Sequence, residues 1–186
     1  LRIIRDRAHV PMVLDAGVTK EEIGDAVAAR SGSAPLDDNT QSRFEARFGI
    51  PVLNIYGATE FCGAIASWTI DDYRNFAEAK RGAVGRVWTH VCNARVVDQP
   101  GGEAKPAGEI GILEFQVPTV GEEWITTNDL GRIDADGFMF IEGRADDAIN
   151  RGGFKVIPEV VADVLRKHPS VADAAVVGLP DERLGA

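Results

Sequence analysis

The first clear period in the chain is "DDNTQSRFEARFG", where Phe44 and Phe48 stand four apart among polar residues and Gly49 follows. Apolar positions four apart share one face of a helix, and a glycine just past them supplies a stop, so the spacing predicts about three helical turns. Directly after it, "IPVLNIYG" is a short apolar run rich in β-branched residues between Pro51 and Gly57, which reads as a strand. Turn, helix, strand and loop thus follow in the order of an α/β unit. The stretch "NIYGATEFCG" then falls at a strand's C-terminal end, where open α/β sheets bind ligands. The thirty residues before this unit include the helix-like "TKEEIGDAVAA" but settle into no single period.

From Gly82 the pattern changes. "GAVGRV", "NARVVD", "EIGILEFQV" and "DGFMFIEG" are strand-like runs separated by the turn sequences "QPGGEAKPAGE" and "DADG", which predicts a small antiparallel β-subdomain. After "EGRADDAINRGG" the period becomes helical in "PEVVADVLRKHP", with Pro158 suited to a first turn and Pro169 just past the end. Val160, Val161, Val164 and Leu165 form one stripe of that helix, and "VADAAVVGLP" reads as a strand behind it. One helix and one strand bury little core by themselves, so an incomplete final domain is expected. The fold class expected is α/β with a β-barrel subdomain and an α+β C-terminal domain. Its divisions are 1–81, the C-terminal part of an α/β subdomain; 82–142, the β-subdomain; and 143–186, a hinge and the start of the last domain.

The composition narrows the chemistry. Of 186 residues, 45% are hydrophobic and 26% charged, which places the chain with soluble globular proteins. Its formal charge of −9 repels nucleic acid and anionic lipid. No apolar run approaches the ~20 residues of a membrane helix, and "LRIIRDRAHVPMV" lacks the apolar core of a signal peptide, so a cytoplasmic location is expected. Cys62 and Cys92 show no metal or disulfide spacing, and His9, His90 and His168 are isolated.

Four short motifs remain: "SGSAP", "YGATE", "TTNDLGR" and "GRADDAINRGG". Each alone also reads as a surface turn. In this order they resemble the adenylate-forming superfamily of acyl-CoA synthetases, luciferases and peptide-synthetase adenylation domains. "DDAINRGGFKV", and Ala58 where peptide-synthetase domains usually have proline, resemble the acyl-CoA synthetase branch. In that family a large N-terminal domain ends in a β-subdomain, and a small C-terminal domain turns about a hinge.

The resemblance implies an acyl-CoA synthetase-like fold, here as a fragment. It also implies a reaction in which a carboxylate is joined to the α-phosphate of ATP and then passed to coenzyme A, with magnesium; a fatty acid is the expectation from abundance, with aryl and steroid-derived acids left open. Partners would be the acid, ATP and coenzyme A, without nucleic acid or an integral membrane segment, and with a homo-oligomer left open. The resemblance places Thr59 on phosphate and Glu60 on magnesium as the catalytic pair. It places Tyr56 beside adenine, with Gly57 allowing close backbone approach. Gly32, Ser33 and Ala34 would form the other wall of the nucleotide pocket, Asp129 would accept the ribose hydroxyls and Arg144 would contact ribose or phosphate. Asp146 would be the hinge, and Gly152 and Gly153 would lie near the thiol tunnel. Lys155 reads as a solvated charge that could also meet coenzyme phosphates.

Two departures stand out. Thr127-Asn128-Asp129 replaces the usual Thr-Gly-Asp, with Asn128 expected to tolerate a left-handed turn, and "GRVWTHV" replaces a more usual proline-containing turn. The family's Gly/Ser/Thr-rich phosphate loop and C-terminal lysine are not in the sequence, so this polypeptide is not expected to adenylate unaided. A non-catalytic nucleotide-binding relative is the alternative reading.

Overall fold

Asp37 opens the longest helix because its carboxylate accepts the Thr40 amide at 2.8 Å, and Gly49, at φ 70°, closes it in the left-handed conformation that glycine adopts without penalty. A computed structural model describes residues 9–32, 36–151 and 154–179 of the chain. In order, the elements are helices α1 (His9–Asp15) and α2 (Lys20–Ile23), strand β1 (Ala29–Ser31), helix α3 (Asp38–Phe48) and strand β2 (Val52–Ala58). A single 3-10 turn (Thr59–Phe61), strand β3 (Gly63–Ser67), helix α4 (Ile70–Phe76) and strand β4 (Gly85–Val87) follow. Then come β5 (Asn93–Val97), β6 (Gly111–Gln116), β7 (Ile125–Ile133), β8 (Phe138–Arg144), the short pair β9 (Ile149–Arg151) and β10 (Phe154–Val156), and helix α5 (Pro158–Arg166).

Eight strands form one sheet in the order β1-β2-β3-β4-β8-β7-β6-β5, parallel between β1 and β2 and antiparallel elsewhere. Although β2 and β6 are far apart in that order, the Tyr56 and Phe115 rings lie 5.9 Å apart between centroids. The sheet therefore curls, and its concave face encloses Phe61, Ile65, Leu113, Phe115 and Met139. A second core joins α1 and α3 to β2 through Val10, Leu14, Phe44, Phe48 and Val52. Phe44 and Phe48 are buried as their spacing predicts, each worth roughly 1.5–3 kcal/mol of burial. A third core packs Trp68, Phe138 and Phe140 under α4.

Several expectations change. "TKEEIGDAVAA" gives only the four-residue α2, because Gly24 (φ 63°) ends it and the chain goes on to pair β1 beside β2. "TTNDLGR" lies inside β7, and among the described residues Cys62 is the one non-glycine residue at positive φ, so Asn128 is not left-handed. Residues 171–179 form no strand. No strand among the described residues pairs with them, and Val177 and Leu179 are each 74% exposed. The stripe on α5 faces outward: Val164 is 61% exposed, and Ala162 is the buried residue of that helix.

Candidate active site

The end of β2 is pinned by the 3-10 turn beyond it. Phe61 is buried and packs edge-on against Phe115 at 5.2 Å, which leaves Thr59 and Glu60 exposed on that turn. Cys62, at φ 56°, reverses the chain into β3. A Cβ on Gly57 would sit 2.3 Å from the Gly63 carbonyl oxygen, so the lack of a side chain there is required by the neighbouring strand. A Cβ on Gly32 would meet the Ile55 side chain at 2.7 Å, so Gly32 itself lies close against β2.

Across the concave face lies a bulge. Ile112 pairs with Leu130 and Glu114 with Thr126, so Thr127, Asn128 and Asp129 stand opposite Leu113 alone. The ladder cannot satisfy both strands at such a step, and a polar side chain takes part of the work. The Thr127 hydroxyl donates to the Leu113 carbonyl at 2.8 Å and accepts the Asp129 amide at 3.1 Å. Asp129 is register partner to Arg144 on β8, where a second irregularity lies between Leu130 and Gly131.

Asp129 collects the site. The Tyr56 hydroxyl donates to its Oδ2 at 2.5 Å, and Arg144 Nη1 lies 3.8 Å from its Oδ1. Arg144 in turn grips Asp146 with two bonds of 3.0 and 2.9 Å. Burial first, then the hydrogen bond to Asp129, pushes the Tyr56 phenol well above its usual pKa; the Glu60 carboxylate adds to this and the Thr127 hydroxyl opposes it. The guanidinium of Arg144 holds Asp146 below the usual carboxylate range. Glu60 and Asp129 therefore both bear on one phenol, although their motifs are separated by most of the β-region.

The structure brings together Tyr56, Asp129 and Arg144, with Thr59 and Glu60 on the adjoining turn and Asp146 on the far side of Arg144. Gly32 lies against β2. Ser33, Ala34, Gly152 and Gly153 lie outside the described residues, as does the side chain of Lys155. Thr127 has no role of its own in the sequence motif, although a threonine two positions before the key aspartate, inside a strand, is the signal for it. Among the described residues no group of three or more His, Cys, Asp or Glu is placed to hold a metal. Glu60 offers one carboxylate, which fits magnesium, since that ion commonly takes one or two carboxylates and completes its shell with phosphate oxygens and water.

The family model of AMP-binding enzymes matches residues 7–123, more than half of the chain. The chain belongs to that family. Sulfoacetate–CoA ligase of Cupriavidus necator is 35% identical to it over 172 residues, covering 84% of this chain and 32% of the relative. Indoleacetate–CoA ligase of Aromatoleum aromaticum is 33% identical over 153 residues, covering 75% of this chain and 29% of the relative. ATP-bound MatB from Rhodopseudomonas palustris aligns with a TM-score of 0.85 at 30% identity, over 98% of this chain and 39% of that one. The chain spans about a third of the length of the curated relatives it matches.

This chain therefore has the acyl-CoA synthetase-like fold and the adenylate-forming membership that its four motifs imply. No described helix is long and apolar enough to cross a membrane.

Proposed function

We propose that the protein carrying this chain is an ATP- and magnesium-dependent acid–CoA ligase of the AMP-forming kind. The observation that carries this reading is the junction of Tyr56, Asp129 and Arg144, with Thr59 and Glu60 on the adjoining turn. An aromatic ring, a carboxylate, a guanidinium and a hydroxyl–carboxylate pair are what a nucleoside phosphate needs: a flat wall, an acceptor for ribose hydroxyls, and groups for phosphate and its metal.

In this reading Tyr56 flanks adenine, Asp129 accepts the ribose hydroxyls, and Arg144 turns from Asp146 toward ribose or phosphate. Thr59 donates to the phosphate, and Glu60 would hold magnesium, which supplies charge stabilisation at the crowded phosphate when bound. Gly32, with Ser33 and Ala34, forms the facing wall. A carboxylate oxygen of the acid attacks the α-phosphorus and the bond to pyrophosphate breaks. The coenzyme A thiolate then attacks the acyl carbon, and AMP leaves with the bonding pair and the oxygen. Holding both anions in line replaces an entropic cost that solution would impose.

Asp146 is the hinge in this reading. It is exposed and, among the described residues, its carboxylate pairs with a neighbouring exposed arginine, so its backbone can turn without disturbing a core. The division into 1–81, 82–142 and 143–186 and a cytoplasmic location belong to the same proposal. A fatty acid is the acyl group expected from abundance; the names of the relatives widen the field to a small sulfonated acid and an aryl acetic acid.

The test is carboxylate-dependent exchange of labelled pyrophosphate into ATP by the complete enzyme, with magnesium and a panel of fatty, aryl and short anionic acids. Exchange with one class names the substrate. ATP binding without exchange on any acid would overturn the ligase reading in favour of a non-catalytic nucleotide-binding protein.

A further inference from the structure

The bulge in β7 places three residues opposite one, and the spare carbonyl belongs to Leu113. Leu113 pairs with Val96 on its other side, and the Val96 carbonyl there accepts the Lys105 amide, turning away from β6. In an antiparallel ladder that alternation turns the Leu113 polar groups toward β7. The group that meets them is the Thr127 side chain.

A hydroxyl has one proton and two lone pairs. Thr127 gives its proton to the Leu113 carbonyl at 2.8 Å and takes the Asp129 amide at 3.1 Å, so one oxygen both closes the gap and fixes the residue two positions on. The Asn128 carbonyl accepts the Ala145 amide at 2.7 Å, which holds the outer edge of the bulge to the strand carrying Arg144. Asp129 then meets the Tyr56 hydroxyl at 2.5 Å.

We propose that Thr127 is a positioning residue of the nucleotide site: by bridging Leu113 and the Asp129 amide across the β7 bulge, its hydroxyl aims the Asp129 carboxylate at the ribose hydroxyls. The proposal rests on the reading of Asp129 as the ribose acceptor. Thr127 itself touches no substrate. Serine can replace it, because the hydroxyl does the work, whereas valine of nearly equal shape cannot.

The complete enzyme is assayed by pyrophosphate exchange with ATP and with 2′,3′-dideoxy-ATP, which lacks the groups Asp129 would accept. Thr127→Val should raise the KM for ATP about five- to tenfold, leave kcat within about twofold, and leave the KM for the dideoxy nucleotide unchanged; Thr127→Ser should retain the parent's preference for ATP. In an Asp129→Ala background, Thr127→Val should add nothing. Equal losses for both nucleotides, no loss for either, or a Thr127→Ser variant as impaired as Thr127→Val would overturn the proposal. Thr127→Ala removes the same hydroxyl with a smaller side chain and takes the place of a valine variant that does not fold. If Asp129→Ala still prefers ATP over the dideoxy nucleotide as strongly as the parent does, it is the ribose role of Asp129 that fails. If Asp129→Ala loses the preference and Thr127→Val keeps it, only the role of Thr127 fails.

Discussion

Tyr56 and Asp129, 73 positions apart in the chain, are joined by a hydrogen bond of 2.5 Å from phenol to carboxylate. The bond crosses the inside of a curled sheet, from β2 to β7, and fixes the distance between the motif after β2 and the motif in the β-region. Burial and that carboxylate both disfavour the phenolate, so Tyr56 is protonated far above its ordinary range.

The consequence is a pH dependence. The folded chain keeps the Tyr56 proton after the unfolded chain begins to lose it near the ordinary tyrosine value of about 10, so this contribution to stability is complete below that value and falls as pH rises beyond it. Tyr56→Phe keeps the ring against Phe61 and Phe115 and loses the proton. Chemical denaturation at neutral pH should show a cost of about 0.5–1.5 kcal/mol, and the gap between parent and variant should narrow between neutral pH and about pH 11. A gap independent of pH would show that the phenol is not held by Asp129.

Glu60→Gln tests the metal. The amide keeps the size and loses the charge that magnesium prefers. Magnesium-dependent pyrophosphate exchange should fall at least about tenfold, with a higher magnesium concentration needed for half-maximal rate. An unchanged magnesium titration would remove Glu60 from that role.

The helix α3 and strand β2 are legible in sequence because each rests on a local period: Phe44 and Phe48 share one face, and Val52 and Leu53 fill a buried strand. The curl is not. Nothing near Tyr56 in sequence says that Phe115 and Asp129 will lie against it, since that contact depends on the strands between them. The motif around Asp129 reads as a turn because Asn and Asp favour turns, yet pairing with β6 and β8 overrides that preference and turns the irregularity into a bulge. Residues 171–179 carry strand-forming side chains, but a strand exists only beside a partner, and the described residues provide none. Gly57 shows a subtler limit: in the motif its glycine reads as room for a ligand, and the structure shows the room taken by Gly63.

Asp146→Pro tests the hinge. Proline fixes φ and restricts the residue before it, so rotation about this position is hindered; Arg144 is released from the Asp146 carboxylate, while the Tyr56–Asp129 bond between β2 and β7 does not involve Asp146. Adenylate formation should proceed within about threefold of the parent, and thioester formation should drop by an order of magnitude or more. Single-turnover measurement of each half-reaction separates the two. Equal loss in both would place Asp146 among the residues that hold nucleotide rather than at a hinge.

Glu114 gives a prediction about stability rather than chemistry. It is fully buried, and its carboxylate accepts the Gly101 amide, the Thr126 hydroxyl and the Arg95 guanidinium, each at 2.7–2.8 Å. Burial alone would raise its pKa, but those donors outweigh it and hold the carboxyl below its usual range. A lowered folded pKa means stability that is complete above the unfolded value of about 4.3 and lost as pH falls through the folded one. Glu114→Ala should cost about 3–5 kcal/mol at neutral pH, because Arg95 loses its partner beside Trp124 and two further donors, the Gly101 amide and the Thr126 hydroxyl, are left without acceptors. Glu114→Gln should cost less, and its denaturation midpoint should decline less steeply than the parent's between about pH 6 and pH 3. Because Thr126 adjoins Thr127, the Gln variant also reports on the site. If it keeps the ATP preference of the parent while losing stability, the buried carboxylate supports the β-sheet and the bulge aims Asp129 independently of it.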